Sequence, residues 1–203
     1  CDFVHLAAPE KCQIKIRDVL EWSTAIHWVE EYEKTANPLL SSVMAMLYGE
    51  GRLDMANFVK TQPMEPGFKP GEVWRYSSGD SVLAAELLGQ IYKGQDIRQV
   101  FREKLFEPLE IKHWTWEKDA AGTAVGASYF YTTVRGIARI GELLLGRGRY
   151  KDQTIFESDY WDFMKRIPPA FKKNRLDHDG EKTISGAHIW LNNPEDTGLD
   201  KPW

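Results

Sequence analysis

The sequence lacks the composition of several protein classes. It has only two cysteines, Cys1 and Cys12, among 203 residues, which are too few for the disulfide framework of a small secreted domain and show no zinc-ligand spacing. One local bridge between them in an oxidising compartment stays open. Lys and Arg number 26 against 30 Asp and Glu, so the basic excess of nucleic-acid-binding proteins is absent and we expect no nucleic-acid partner.

Long apolar runs are also missing. No stretch approaches the roughly 20 apolar residues that a membrane-spanning helix needs, so we expect no membrane span. The composition, 42% hydrophobic and 28% charged, is instead typical of a globular protein. The length predicts a single domain over residues 1–203.

The short motifs that mark many active sites are absent as well. The sequence contains no G-x-S-x-G, no H-E-x-x-H, no phosphate-binding glycine loop and no C-x-x-C. Its histidines are scattered and form no local pair: they are His5, His27, His113, His178 and His188. We therefore expect neither a metal site nor a cofactor.

Helical patterning dominates what the sequence does contain. Apolar residues recur at helical spacing in several segments, and prolines and glycines separate these segments. The pattern predicts an α+β fold that is predominantly helical, with few strands. Helices are predicted over 15–28, 37–51, 54–63, 80–94, 97–106, 134–146 and 158–169. A strand or a turn is predicted over 127–133, and a strand over 182–193.

The segment GEVWRYSSGD contains the candidate site. In one interpretation, Ser77, Ser78 or Asp80 caps a helix that begins near Ser81, and Tyr76 is an interior aromatic residue. In the other, a loop holds Tyr76 towards a cleft, where a neighbouring positive charge lowers the pKa of its phenol and the hydroxyl moves protons. The residues alone favour the cap and leave the second interpretation open.

Four blocks of the sequence resemble, in the same order, the serine β-lactamase and penicillin-binding protein superfamily. IKIRDVLEWSTAIHW is similar to the family's ITIRHLLTMTSGL-W, and PGEVWRYSSGDSVLAAELL resembles PGT-F-YSSGDT-LLG-IL. FREKLFEPLEI is similar to F-E-LFEPLGM, and YFYTTVRGIARIGELLLGRG to LYAT-RDLARFG-L-L-GG. The blocks cover roughly Ile14 to Trp161. They are closest to the class C β-lactamase-like branch, which includes esterases and 6-aminohexanoate-dimer hydrolases.

The resemblance implies acyl-enzyme chemistry on an ester, an amide or a β-lactam. In the family a serine of an S-x-x-K motif is acylated, and the lysine and a tyrosine of a Y-x-N motif move protons. Tyr76 matches that tyrosine, and Ser78 stands where the asparagine often lies, so these two are the candidate catalytic residues. A serine hydroxyl reaches less far than an asparagine amide, which favours a small-molecule ester or amide substrate over a β-lactam.

Two motifs of the family are missing from these residues. No serine lies three positions before a lysine; the nearest imitations are Thr115 before Lys118, which we interpret as structural, and Cys12 before Lys15. KTISG, which begins at Lys182, looks like the family's K-T-G with two residues inserted, but K-T-G is expected after the GAHIWLNN strand.

These departures lead to two hypotheses. Either the chain is a central portion of a serine hydrolase whose nucleophile lies outside it, or the helical lobe persists as a non-catalytic binding module. In both cases we expect this chain alone to be inactive. A portion without its flanking strands would leave an apolar face uncovered, which predicts self-association. The family includes exported and cytoplasmic members, so the compartment stays open, with the cell envelope (periplasm) slightly favoured over the cytoplasm.

Overall fold

The protein is described by a computed structural model that covers residues 9–32, 40–176 and 183–192. Within these ranges α-helices dominate, and the few strands are two or three residues long. This is the predicted α+β fold. The helices are α1 Ile16–Leu20, α2 Ser42–Tyr48, α3 Met55–Thr61, α4 Ser78–Ile91, α5 Ile97–Phe101, α6 Val134–Leu145, α7 Ser158–Met164 and α8 Pro169–Lys173.

The strands pair as three antiparallel hairpins. β1 Trp114–Trp116 pairs with β2 Phe130–Thr132, β3 Arg149–Tyr150 with β4 Gln153–Thr154, and β5 Ile184–Ser185 with β6 Trp190–Leu191. Short 3-10 helices lie at Pro9–Gln13 and Glu50–Leu53, and a π-helical turn over Arg102–Phe106 extends α5. In the described part of the chain, no helix is long and apolar enough to cross a membrane.

The largest core cluster surrounds α4, which packs against α1, α2 and α3. Val82 and Leu83 of α4 are buried in it together with Trp28, Val43 and Val59. A second cluster consists of Phe106, Leu109, Ile111, Leu143 and Tyr150, with residues of the β1–β2 hairpin packed against it. A third, smaller cluster consists of Trp22, Trp74 and Ala170, with Tyr76 and Phe171 packed against it. This third cluster supports the candidate site.

The predicted helix over 15–28 is wrong in its second half. α1 ends at Leu20, and Trp22 and Ala25 adopt left-handed φ angles of 53° and 57°. The chain then runs extended, and Ile26 forms an isolated antiparallel bridge with Met64. Because of this turn, Trp22 contacts the segment that carries Tyr76.

The helices that begin at a strong capping residue match the prediction closely. Asp54 accepts a hydrogen bond from the Asn57 backbone N–H at 3.0 Å and begins α3. Asp96 does the same for the Arg98 N–H at 3.0 Å and begins α5. α2 ends at Tyr48, followed by Gly49, whereas the prediction extended this helix to residue 51. The proposed start of that helix at residues 37–38 lies outside the described residues.

The strand predicted over 182–193 is a hairpin, with its first and last residues outside the described part. The turn is fixed by main-chain bonds: Gly186 N–H donates to the Ile189 carbonyl at 2.8 Å, and Ala187 N–H donates to the Met164 carbonyl at 2.8 Å. A Cβ at Gly186 would lie 2.0 Å from that Met164 oxygen. The close approach of α7 therefore requires glycine and interrupts the strand.

Candidate functional site

The backbone that leads to Tyr76 is held from both sides. Trp74 donates its N–H to the Asn174 carbonyl at 2.8 Å, and its own carbonyl accepts from Leu176 N–H at 3.0 Å. On the opposite side, Arg75 N–H donates to the Trp22 carbonyl at 3.0 Å. The backbone before Tyr76 is therefore held by hydrogen bonds on both sides, and this fixes where the Tyr76 side chain begins.

Ser77 caps α4, which begins at Ser78, ahead of the predicted start near Ser81. The Ser77 hydroxyl accepts a hydrogen bond from Asp80 N–H at 3.0 Å. Gly79 lies in the first turn, and a Cβ there would approach the Trp28 ring to 2.8 Å. The SSG sequence therefore combines an N-cap with a close approach to a core tryptophan.

Glu30 organises the polar side of the site. Its carboxylate accepts hydrogen bonds from the Ser78 backbone N–H at 2.9 Å and from the Ser78 hydroxyl at 2.5 Å. It also accepts from Trp28 Nε1 at 2.5 Å and from the Tyr32 hydroxyl at 3.0 Å. A carboxylate at a helix N-terminus also complements the helix dipole. The hydroxyl of Ser78, which is only 6% exposed, is therefore engaged by Glu30.

Tyr76 is partly buried between two tryptophans. Its ring lies 4.9 Å from the Trp22 ring in an edge arrangement and 5.4 Å from the Trp190 ring in a stacked one. Its hydroxyl has no hydrogen-bond partner among the described residues. Burial, and then the negative charge of Glu30, raise the pKa of the Tyr76 phenol. The predicted lowering of this pKa by a positive charge does not occur in the described part of the chain.

His188 approaches the same cluster from the β5–β6 hairpin. Its ring lies 4.8 Å from the Trp22 ring, and its Nε2 lies 3.3 Å from the Ser81 hydroxyl. Burial lowers the pKa of His188 to about 4, so the imidazole is neutral at neutral pH. No group of three or more His, Cys, Asp or Glu side chains suited to a metal ion lies within the described ranges.

Asp80 lies beneath the first turn of α4 and is 1% exposed. The Thr24 hydroxyl lies 2.9 and 3.1 Å from its two carboxyl oxygens. Burial raises the pKa of Asp80 to about 8, and the hydrogen bonds from Thr24 and Ser77 oppose this shift only in part. Asp80 is therefore a buried carboxyl group that joins α4 to the turn after α1.

The two imitations of the missing nucleophile have other roles. Thr115 is exposed on β1, where it pairs with Tyr131 of β2. Cys12 is disulfide-bonded and therefore has no free thiol to act as a nucleophile. The structure brings Tyr76 and Ser78 together with Trp22, Glu30, His188 and Trp190. The last four carry no local sequence signal, because whole helices separate them along the chain from the RYSSGD segment.

Comparison with known proteins agrees with this fold. The family model described as Beta-lactamase matches residues 4–196. No curated protein matches the chain. Among solved structures, a protein from Bacillus anthracis assigned as a 6-aminohexanoate-dimer hydrolase is 16% identical with a TM-score of 0.66, over 88% of this chain and 47% of that one.

Two further structures give the same picture. The octameric penicillin-binding protein homologue from Pyrococcus abyssi is 17% identical with a TM-score of 0.59, over 94% of this chain and 48% of that one. The D-amino acid amidase from Ochrobactrum anthropi SV3 is 15% identical with a TM-score of 0.59, over 92% and 55%. The chain thus spans about half the length of these structures. It belongs to the β-lactamase family, within the serine β-lactamase and penicillin-binding protein superfamily.

Proposed function

We propose that this chain supplies the tyrosine side of the active site of a serine hydrolase, which cleaves an ester or an amide through an acyl-enzyme. Family membership supports the hydrolase class. The nucleophile would lie in a part of the longer protein outside these residues, since no S-x-x-K occurs among them. The observation that carries the proposal is the position of Tyr76. Hydrogen bonds hold the backbone that precedes it, and its hydroxyl has no hydrogen-bond partner among the described residues.

The surroundings of Tyr76 favour one direction of proton transfer. Because burial and Glu30 raise the pKa of the phenol, Tyr76 holds its proton at neutral pH. As the serine oxygen bonds to the acyl carbon, the bond to the leaving oxygen or nitrogen breaks and that atom takes the proton from Tyr76 Oη. The lysine that accompanies the serine in the family's S-x-x-K motif would accept the serine proton during the attack and pass it to the phenolate, which restores the phenol. In this account Tyr76 is a general acid towards the leaving group.

Ser78 has a different role in this proposal. Its hydroxyl donates to Glu30 at 2.5 Å, and the hydroxyl oxygen keeps lone pairs that can accept a hydrogen bond from a substrate N–H. Glu30 fixes the rotamer of Ser78 by binding both its hydroxyl and its backbone N–H. We therefore propose that Ser78 contacts the substrate and that Glu30 positions it.

Amide hydrolysis by the natural protein that contains this chain tests the proposal. We expect Tyr76→Phe to lower kcat/KM on an acyl p-nitroanilide by about 10²–10⁴-fold, the usual contribution of a general acid. The matched control is Tyr160→Phe, which removes the hydroxyl of a tyrosine on α7. An unchanged kcat/KM in Tyr76→Phe would remove Tyr76 from the mechanism.

The same environment favours a second candidate, a binding module without chemistry. The raised pKa of Tyr76 and the engagement of the Ser78 hydroxyl by Glu30 leave neither group activated as a base. A binding module predicts that the natural protein turns over neither p-nitrophenyl esters nor p-nitroanilides. Turnover that depends on the Tyr76 hydroxyl would exclude this candidate.

A further inference from the structure

Trp190 is an unusual side chain in the aromatic cluster around Tyr76. It is 46% exposed, and in the described part of the chain no other tryptophan is as exposed. Its ring lies 5.4 Å from the Tyr76 ring in a stacked arrangement and 5.6 Å from the Trp22 ring. One part of the indole is therefore packed against the cluster while the rest faces outwards. A large exposed aromatic ring beside a candidate site is a feature of ligand-binding surfaces.

The support of Trp190 is already formed. Trp190 pairs with Ser185 across the β5–β6 hairpin, and Ser185 is fully buried. The hairpin is tied to the end of α7 by the bond from Ala187 N–H to the Met164 carbonyl at 2.8 Å. A ring held in this way loses little conformational entropy when a ligand stacks on it.

The charges around these rings disfavour a negatively charged ligand group. The Glu30 carboxylate is close enough to Tyr76 to raise the pKa of its phenol, so it repels a second carboxylate placed there. His188 is neutral at neutral pH and supplies no compensating charge. The Arg175 guanidinium lies over the Phe171 and Trp74 rings, at 4.7 and 5.4 Å from their centroids, and donates to the Thr183 carbonyl at 2.9 Å. Its charge is therefore engaged away from the Trp190 ring.

We propose that the exposed face of Trp190, with the Tyr76 ring stacked behind it, forms an aromatic platform that binds an aromatic group of the substrate without negative charge. This inference rests on the proposed function, because it names the substrate class: amides or esters with an aromatic side chain close to the bond that is cleaved and without a neighbouring carboxylate. Trp190 is then a residue that determines specificity.

Ligand binding to this chain tests the platform without any need for turnover. The probe is N-acetyl-phenylalaninamide, titrated while the indole N–H resonances are followed by NMR. N-acetyl-alaninamide lacks the ring and N-acetyl-phenylalanine adds a carboxylate, and we expect both to bind more weakly than the probe. Equal binding of the phenylalanine and alanine amides would overturn the proposal.

Variants separate the platform from a general effect on the fold. We expect Trp190→Ala to weaken binding of the probe by about tenfold, the order of one aromatic contact, and Trp190→Phe to retain most of it. Tyr131→Ala removes another exposed ring, on β2, and should leave binding unchanged. Thermal melts check that each variant folds. Unchanged binding in Trp190→Ala would exclude the platform.

Tyr76→Phe distinguishes this inference from the proposed function. The substitution keeps the ring and removes the hydroxyl, so we expect it to preserve probe binding while it lowers turnover in the natural protein. If the probe does not bind but turnover by the natural protein still depends on the Tyr76 hydroxyl, the platform alone is rejected. If the probe binds but the natural protein hydrolyses neither esters nor amides, the hydrolase proposal alone is rejected.

Discussion

At the scale of single residues, the site depends on Glu30. Its carboxylate accepts four hydrogen bonds, three from side chains and one from a backbone N–H. We expect Glu30→Gln to lower the free energy of unfolding by about 1–3 kcal/mol, because an amide cannot accept all of these bonds on both of its ends. It should also move the pKa of Tyr76 part of the way down, since burial remains. Urea unfolding and NMR titration of tyrosine measure the two effects.

Glu31→Gln is the matched control for this prediction, because it removes the neighbouring charge without touching the bonds to Ser78. We expect it to leave both the stability and the titration of Tyr76 close to wild type. If Glu30→Gln and Glu31→Gln behaved alike, Glu30 would have no special role at the start of α4.

The buried carboxyl of Asp80 predicts an unusual dependence of stability on pH. Its pKa in the folded protein is raised to about 8 from an ordinary value of 3.8, so folding favours the protonated form. The contribution of Asp80 to stability is therefore fully present below about pH 4 and is lost as the pH rises towards 8. We expect the unfolding free energy of the wild type, relative to Asp80→Asn, to fall between about pH 4 and pH 8 and to level off above that. Parallel profiles of the two proteins in urea unfolding would contradict this.

At the scale of elements, the first turn of α4 requires Gly79. A Cβ at this position would approach the Trp28 ring to 2.8 Å, whereas Gly89 in the same helix has open space around it. We expect Gly79→Ala to destabilise the protein by about 1–3 kcal/mol through overpacking. Gly89→Ala should instead stabilise it by about 0.5–1 kcal/mol, because alanine favours the helix. Urea unfolding measures the change in the free energy of unfolding for both variants. Equal changes would contradict the prediction, because they would mean that the Trp28 ring moves aside without a cost in free energy.

Local signals account for the elements that the sequence predicted well. Asp54, Ser77 and Asp96 each accept a hydrogen bond in the first turn of the following helix, and such caps are visible in a few adjacent residues. The second half of the 15–28 helix failed because Trp22 and Ala25 adopt left-handed conformations. The prediction of one strand over 182–193 is wrong because α7 approaches Gly186. Neither cause can be seen in a few adjacent residues of the sequence.

The same division holds for the candidate site. Tyr76 and Ser78 were predicted because their motif is contiguous. Glu30 was not, since it meets Ser78 across 48 positions, and His188 meets Ser81 across 107. Only the packing of separate elements brings these side chains together, so a motif search cannot find them.

At the scale of the whole molecule, α6 presents an apolar face to solvent. Val134, Ile137 and Leu145 follow each other along one side of the helix and are 89%, 55% and 70% exposed. We propose that this chain self-associates through that face. Sedimentation of Ile137→Lys should show less association than the wild type, whereas Ile91→Lys, at an exposed site on α4, should not. A wild type that stays monomeric at all concentrations would refute the proposal.

Two substrates of the natural protein reveal directly whether Tyr76 protonates the leaving group. An acyl p-nitroanilide expels a poor leaving group that needs a proton, whereas the matching p-nitrophenyl ester expels a good one that scarcely does. We predict that Tyr76→Phe lowers kcat/KM for the anilide at least tenfold more than for the ester. Equal losses on both substrates would contradict the account and place Tyr76 outside leaving-group protonation.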